Sequence, residues 1–325
     1  MKGFYNIKKI CFGIIIILSG TCESKAQIAE VMDSLQTEAM PEGEATQNDE
    51  LLIPPLFEYI TAPDDLPDLQ SRTDYLMENF WNPFDFKNTK VVDQNALNHA
   101  FGVFAQAMPY ASAKKVEDSV KKLIGKIKGN PILTYQFTKA AEEYLYSPRA
   151  VIWADNLYIS FLENLIQNKK IDNSKKNKYA EQLSLLKKTS VGTELPFFNV
   201  ISFAQDPAGL HVDRPYTLIE FAPEDCEDCR YSNLKLDISG KINDMIEEGI
   251  LGVQVIILSP ENPSDFNGKI FPAKWRAGYS NDAKSQMDIR LYPSFYIIDN
   301  NRKIIAKNLY VDDAIDFLNN LTLKQ

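Results

Sequence analysis

The sequence predicts an α/β fold, a mixed sheet sandwiched by helices over residues 191–325, preceded by an all-α domain over residues 63–190. Three observations predict it. Apolar residues recur with a helical period from about Asp68 to Ser190, and the period changes after Thr189. Beyond that point the order reads strand–helix–strand, then a hairpin and a helix. A Cys226-Glu-Asp-Cys229 pair stands just after a buried-strand pattern and opens a helical one.

At the start of the chain, Lys2, Lys8 and Lys9 precede an apolar run from Ile10 to Leu18. A bilayer span needs roughly 20 apolar residues, so this shorter run reads as a secretory signal peptide, residues 1–26. Small residues at Ser24-Lys25-Ala26 set the expected mature start at Gln27, with export to the periplasm or cell envelope. A lipid anchor on Cys22 is the alternative. It fits poorly, because Ser19 and Thr21 stand where a lipobox has Leu and a small residue. Residues 27–62 hold many acids and few aromatics and end in Pro54-Pro55 and Pro63, the composition of a flexible acidic linker.

Helical stripes follow. Leu97, Phe101, Phe104 and Met108 lie on one face of a helix ended by Pro109. Val116, Val120, Leu123, Ile124 and Ile127 form a second stripe, closed by Gly129-Asn-Pro131. Phe137 to Leu145, Leu157 to Ile166, and Tyr179 with Leu183 and Leu186 give three more. Phe80-Trp81-Asn-Pro83-Phe84-Asp-Phe86 is expected to plug this helical core, because large aromatics supply buried area. No polar constellation there suggests catalysis, and His99 reads as structural or exposed.

In the last part, Phe197–Phe203 and Tyr216–Phe221 read as strands, residues 227–248 as one helix, and Val253–Leu258 as a buried strand. The helix would bury Leu234, Ile238, Ile242, Met245 and Ile246. A helical stretch is expected near Asn281–Ile289. Strands Phe295–Ile298 and Lys303–Lys307 then form a hairpin, and a helix near Asp312–Leu321 ends the fold.

Composition narrows the function. The 325 residues are 45% hydrophobic with a formal net charge of −9. Removing residues 1–26 takes away four lysines and one acid and leaves −12. So acidic a chain is a poor partner for nucleic acid or anionic lipid. Of four cysteines, Cys11 and Cys22 lie in or beside the signal, leaving Cys226 and Cys229. One pair is not a multi-bridge framework. Nor is it a metal site, since zinc needs four ligands and neither His99 nor His211 is near the pair in sequence.

The pair has a chemical rationale. A cysteine at a helix N-terminus meets unpaired N–H groups and the helix dipole, which stabilise a thiolate. A second cysteine three residues on can resolve a mixed disulfide formed by the first. Around the pair, Thr217-Leu-Ile-Glu220-Phe221-Ala-Pro-Glu-Asp225-Cys226-Glu-Asp-Cys229 and Leu291-Tyr292-Pro293-Ser294-Phe295 resemble the thioredoxin superfamily, in particular its exported TlpA/ResA type. The resemblance covers roughly residues 191–325. The whole mature chain is similar to envelope proteins that join such a domain to a helical N-terminal domain of unknown function, through Tyr75–Trp81, Phe84-Asp-Phe86 and Glu143–Pro148.

The resemblance implies a thioredoxin-like fold and a thiol–disulfide oxidoreductase of the protein-disulfide reductase kind. Cys226 would attack and Cys229 resolve, with the two forming a disulfide between turnovers. Glu220 would accept the proton of the second cysteine. Pro293, in a cis peptide bond, would face the dithiol and orient the substrate backbone, with Tyr292 beside it. Substrates would be disulfides of exported proteins, electrons would come from a membrane thiol donor, and no cofactor is implied. The residues alone also allow Glu220 to be an exposed strand-end acid, and Tyr292 and Trp275 to pack in the core rather than line a groove. A peroxiredoxin is disfavoured by Pro223, where that family needs threonine.

Two departures stand out. Asp225 replaces the usual tryptophan, and Glu224, Asp225, Glu227 and Asp228 crowd Cys226. Like charge disfavours a thiolate, so the couple is expected to be a reductant rather than a strong oxidant. The same carboxylates also suit a helix N-terminus. The rival to catalysis is a binding module in which Cys226–Cys229 is a static structural bridge.

Overall fold

The computed structural model describes residues 6–7, 54–87, 91–150, 152–203, 209–262 and 271–322. Apart from residues 6–7, the expected signal segment and the linker as far as residue 53 lie outside the described residues. Among the described residues no helix is long and apolar enough to cross a membrane. The chain forms two compact units, 1–171 and 172–325.

The first unit is helical: α1 (Leu69–Asn79), α2 (Gln94–Ala107), α3 (Ala113–Ile127), α4 (Pro131–Leu145) and α5 (Asp155–Gln167). A two-residue strand, Ile152–Trp153, pairs with Asn6–Ile7. Caps set several starts. The Asp68 and Asp93 carboxylates accept from the N–H groups of Ser71 and Ala96, and Asn130 accepts from Ile132 and Leu133 with Pro131 at the first helical position. The stripes read from the sequence are largely buried, with Leu97, Phe101, Phe104, Leu123, Ile127, Phe137 and Phe161 at 0–1% exposure, while Ile124, Tyr144 and Ile166 are half-buried.

Phe80 and Trp81 are buried. The Trp81 ring centroid lies 5.1 Å from that of Phe137 and 5.6 Å from that of Phe104. The aromatic run therefore plugs the helical core. Two rings from the last part of the expected linker, residues 27–62, join this plug. Phe57 packs edge-on against Phe80 and Trp81, and Tyr59 stacks on Phe80. Apolar rings near the end of an acidic stretch gain more by burial than the stretch gains by staying solvated.

The second unit begins with α6 (Asn173–Lys188). The chain after it runs along the far edge of the sheet, with the Gly192 N–H donating to Ile304 O at 2.7 Å and the Leu195 N–H to Arg302 O at 2.8 Å. Then come β1 (Ile201–Ser202), β2 (Tyr216–Ala222), α7 (Glu227–Asp237), α8 (Gly240–Glu247), β3 (Leu251–Leu258), β4 (Arg276–Ser280), α9 (Ala283–Gln286), β5 (Ser294–Asp299), β6 (Ile304–Leu309) and α10 (Val311–Thr322). The six strands lie in the order β1-β4-β3-β2-β5-β6. β2, β3 and β4 are parallel, while β1, β5 and β6 run antiparallel to their neighbours.

Alternation along the central strands divides two cores. Leu218, Ala222, Val253, Val255, Ile257 and Phe295 face Leu236, Ile242, Met245 and Leu318 of the helices. Ile219, Phe221, Ile256 and Tyr296 face Phe198, Val200 and Met287.

Four expectations are corrected. The helix expected over residues 227–248 is two helices, broken between Asp237 and Gly240. Leu234 and Ile238 are 59% and 71% exposed, because the buried face of α7 is set by Cys229, Ser232 and Leu236 instead. The strand expected over Phe197–Phe203 narrows to Ile201–Ser202, with Phe197 exposed. The helical stretch near Asn281–Ile289 shortens to one turn, Ala283–Gln286. One strand went unread: β4 carries Arg-Ala-Gly-Tyr-Ser, with no apolar run to announce it. Its Gly278 lies against β1, where a Cβ would come within 2.6 Å of Ile201 O.

Candidate active site

The site forms where β2 ends and α7 begins. Cys226 is the N-cap of α7, and Cys226 and Cys229 form a disulfide with Cα atoms 5.2 Å apart. The Cys229 N–H donates to Cys226 Sγ at 3.0 Å, so the sulfur takes one of the orphan donors of the helix start. Cys226 is half-buried and Cys229 is buried. The two sulfurs are thus unequally open to a partner.

Glu220 lies in β2 on the same face as Leu218 and Ala222, the face that packs against Cys229 and Leu236. It is 1% exposed, which removes the alternative of an exposed strand-end acid. Neither carboxyl oxygen has a hydrogen-bond partner. Burial pushes Glu220 up to about 8, against an opposing pull from the side chain of Asn233. Asn233 stands one turn after Cys229 on α7, so the cysteine and the amide share a helix face.

The Tyr292–Pro293 peptide bond is cis. Phe221 of β2 pairs with Ser294 of β5, so Pro293 is carried to the end of β2 from which the cysteine loop departs. Tyr292 is 38% exposed, whereas Trp275 is buried among the core side chains. A cavity of about 610 Å³ opens beside the disulfide, lined by Cys226, Cys229, Asn233, Leu234, Ile257 and Phe271 among others. Acidic Glu224, Asp225, Glu227 and Asp237 also border it.

Sequence reasoning missed the polar cluster beneath the Pro293 loop. Asp288, Arg290, Ser294 and Asn308 are all buried. Arg290 Nη2 donates to Asp288 Oδ2 at 2.6 Å, and Lys307 Nζ donates to the same oxygen at 2.8 Å. Burial alone would raise the Asp288 carboxyl, but these two cations outweigh it and hold the group well below the usual carboxylate range. Asn308, in the left-handed region with φ 51°, accepts from the Arg290 N–H at 3.2 Å and donates to Asp288 O at 2.9 Å. Charged residues read as solvated in a sequence. Only their clustering in Asp288-Ile-Arg290 and Lys307-Asn308, among apolar strand residues, offered a signal.

His99 is exposed and its Nδ1 lies 2.8 Å from the Tyr59 hydroxyl. His211 lines a separate cavity of about 360 Å³ with Thr217, Leu251 and Gly252, at the opposite end of β2 from the cysteines. Among the described residues no group of three or more His, Cys, Asp or Glu side chains is placed to hold a metal ion.

Comparison with known proteins decides the family. The profile of the family described as "Domain of unknown function (DUF5106)" matches residues 21–189, just over half of the chain. The chain belongs to this family. The DUF5106 match ends one residue past α6, so it leaves the sheet and the cysteine pair outside it. No curated protein matches the chain.

Among solved structures, a thioredoxin-like protein from Bacteroides caccae superposes with a TM-score of 0.70 at 20% identity, covering 81% of this chain and 97% of that one. The DUF5106 protein therefore has a thioredoxin-like fold, a mixed sheet flanked by helices, behind its helical N-terminal region. Shorter matches include a conserved protein of unknown function from Bacteroides fragilis, with 25% identity, a TM-score of 0.37, and coverage of 40% of this chain and 98% of that one. Another is the thioredoxin domain of a thiol-disulfide oxidoreductase from Bacteroides vulgatus, with 19% identity, a TM-score of 0.35, and coverage of 41% and 97%.

Proposed function

We propose that the protein is a thiol–disulfide oxidoreductase of the cell envelope, of the exported TlpA/ResA type, that reduces disulfides in exported proteins. The observation that carries this reading is the half-buried Cys226 sulfur at the start of α7, bridged to a buried Cys229 beside an open cavity.

In the reduced protein, the Cys226 thiolate attacks one sulfur of the substrate disulfide. A mixed disulfide forms and one substrate thiolate leaves. The ionised form of Glu220 takes the proton of Cys229, and Cys229 attacks Cys226 Sγ, which releases the second substrate thiolate and closes the Cys226–Cys229 bond. Two electrons pass to the substrate, and a membrane dithiol donor of two electrons restores the pair. Glu220 suits the proton transfer because its pKa of about 8 lies near that of an ordinary thiol, about 8.5. The loop at Pro293 orients the substrate backbone, with Tyr292 at its edge.

Insulin reduction with dithiothreitol as donor tests the proposal. Turnover above the dithiothreitol background, lost in Cys226→Ser, is expected. A full-length protein that gives no rate above background, with a bridge that dithiothreitol leaves intact, would make Cys226–Cys229 a structural bridge and the protein a binding module.

A further inference from the structure

We infer that the outer face of α7 is a docking ridge for a cationic, apolar stretch of the polypeptide that carries the substrate disulfide. This rests on the disulfide-exchange reading above. Tyr231, Leu234 and Ile238 are 62%, 59% and 71% exposed. They fall at i, i+3 and i+7, so they form one stripe along the helix, opposite the buried Cys229, Ser232 and Leu236. Single exposed apolar residues are ordinary. Three in line, beginning a turn beyond a half-buried reactive sulfur, form an apolar stripe, although the Lys235 ammonium lies 5.8 Å from the centroid of the Tyr231 ring.

The ridge is continuous with the cysteine site, because Leu234 also lines the cavity that holds Cys226. From Cys226 to Ile238 the helix rises about 18 Å, which matches about five residues of extended chain. A polypeptide whose sulfur is bonded to Cys226 therefore has apolar surface to follow as it leaves the site.

Charge selects the occupant. Glu227 and Asp228 stand at the start of the ridge, Asp237 near its end, and Asp225 beside Cys226. Against them are Arg230 and Lys235, and Lys235 is already tied to Asp312 in an ion pair. The border is net negative and fits lysine- or arginine-bearing polypeptide. A second copy of this chain is a worse occupant. Its formal charge is −9, and a two-fold contact through α7 would set the same acids against each other.

The test uses the full oxidised chain and two labelled, cysteine-free peptides, one alternating Lys with Leu and the other Glu with Leu. Anisotropy should show the Lys/Leu peptide binding at least about tenfold more tightly. That margin should shrink at 1 M salt, where the Debye length is about 3 Å. Tyr231→Ser with Ile238→Ser, both outside the cysteine cavity, should weaken Lys/Leu binding about tenfold. Turnover of hydroxyethyl disulfide, too small to reach the ridge, should stay unchanged. Equal binding of the two peptides, or unchanged binding by the double variant, would overturn the inference. So would a dimer in sedimentation that the double variant dissolves, which assigns the ridge to a second copy. Selective peptide binding by a protein that reduces no disulfide would instead sink the exchange reading and leave the ridge standing.

Discussion

Asn308 Oδ1 accepts a hydrogen bond from Ser294 Oγ at 3.0 Å, and Ser294 is the residue that follows the cis Tyr292–Pro293 bond. The same oxygen accepts from the Arg290 N–H, so one side chain grips the Pro293 loop from both sides. Asn308→Ala leaves those donors buried without a partner and should cost about 1–3 kcal/mol in urea unfolding. Asn308→Gly loses the same bonds but suits the left-handed backbone, and should recover about 1 kcal/mol of that loss. Equal stabilities for wild type and Asn308→Ala would show that the loop does not depend on this grip.

Glu220 makes stability depend on pH in an unusual direction. Its carboxyl is pushed by burial from an ordinary value of 4.5 up to about 8. Between these values the folded chain keeps a proton that the unfolded chain has released. Stability therefore falls as pH rises through this window, by at most about 1.4 kcal/mol per unit. Glu220→Gln should flatten that slope and be the more stable protein at the upper end. Urea midpoints of both oxidised proteins across the window measure it, and parallel slopes would refute it.

Asp288 acts with the opposite sign. Burial works against its charge, but Arg290 and Lys307 prevail and depress its pKa. Its contribution is present above an ordinary carboxyl value of 3.8 and is lost as pH falls below it. Asp288→Ala leaves two cations buried without their counter-ion and should cost about 3–5 kcal/mol. Calorimetric unfolding near neutral pH reads the loss. A change below about 1 kcal/mol would place the pair among exposed ones.

In the proposed oxidoreductase the acids at the cysteines should set the redox character. Cys226 Sγ already receives the Cys229 N–H, which favours a thiolate, while Glu227 and Asp228 in the first turn of α7 oppose it. The two effects oppose each other in the reduced protein, so the thiolate is expected to gain little from the helix start. Replacing Glu227 and Asp228 with Gly and Pro should favour the thiolate and make the couple more oxidising. Thiolate absorbance against pH and a glutathione titration follow the two changes. No change on replacement would remove the physical basis of a reductant.

The sequence was most legible where chemistry dictates spacing. Cys226 and Cys229 sit at a helix start, and Tyr292–Pro293 is cis, as the motif implied. Buried helical stripes such as Leu97 to Met108 were readable because every member faces the same core. Periodicity failed where an apolar residue faces solvent. Leu234 and Ile238 keep helical spacing with Ile242, yet only Ile242 is buried, because the chain turns between α7 and α8. It failed again for β4, where Gly278 and the terminal Arg276 and Ser280 leave no apolar run. The Asp288–Lys307 cluster left only a faint trace in the sequence, because pairing in three dimensions, and not residue type, makes buried charge tolerable.

Gly278 also guards the rim of the sheet. β1 covers β4 with only two residues, and it gets close enough because position 278 has no side chain. Without that cover, the outer N–H and C=O groups of β4 would form an open template for a strand from another molecule. A methyl group at 278 would push Ile201 away and uncover them. The smallest side chain in the strand thus bears on whether the folded protein stays dispersed or assembles edge to edge.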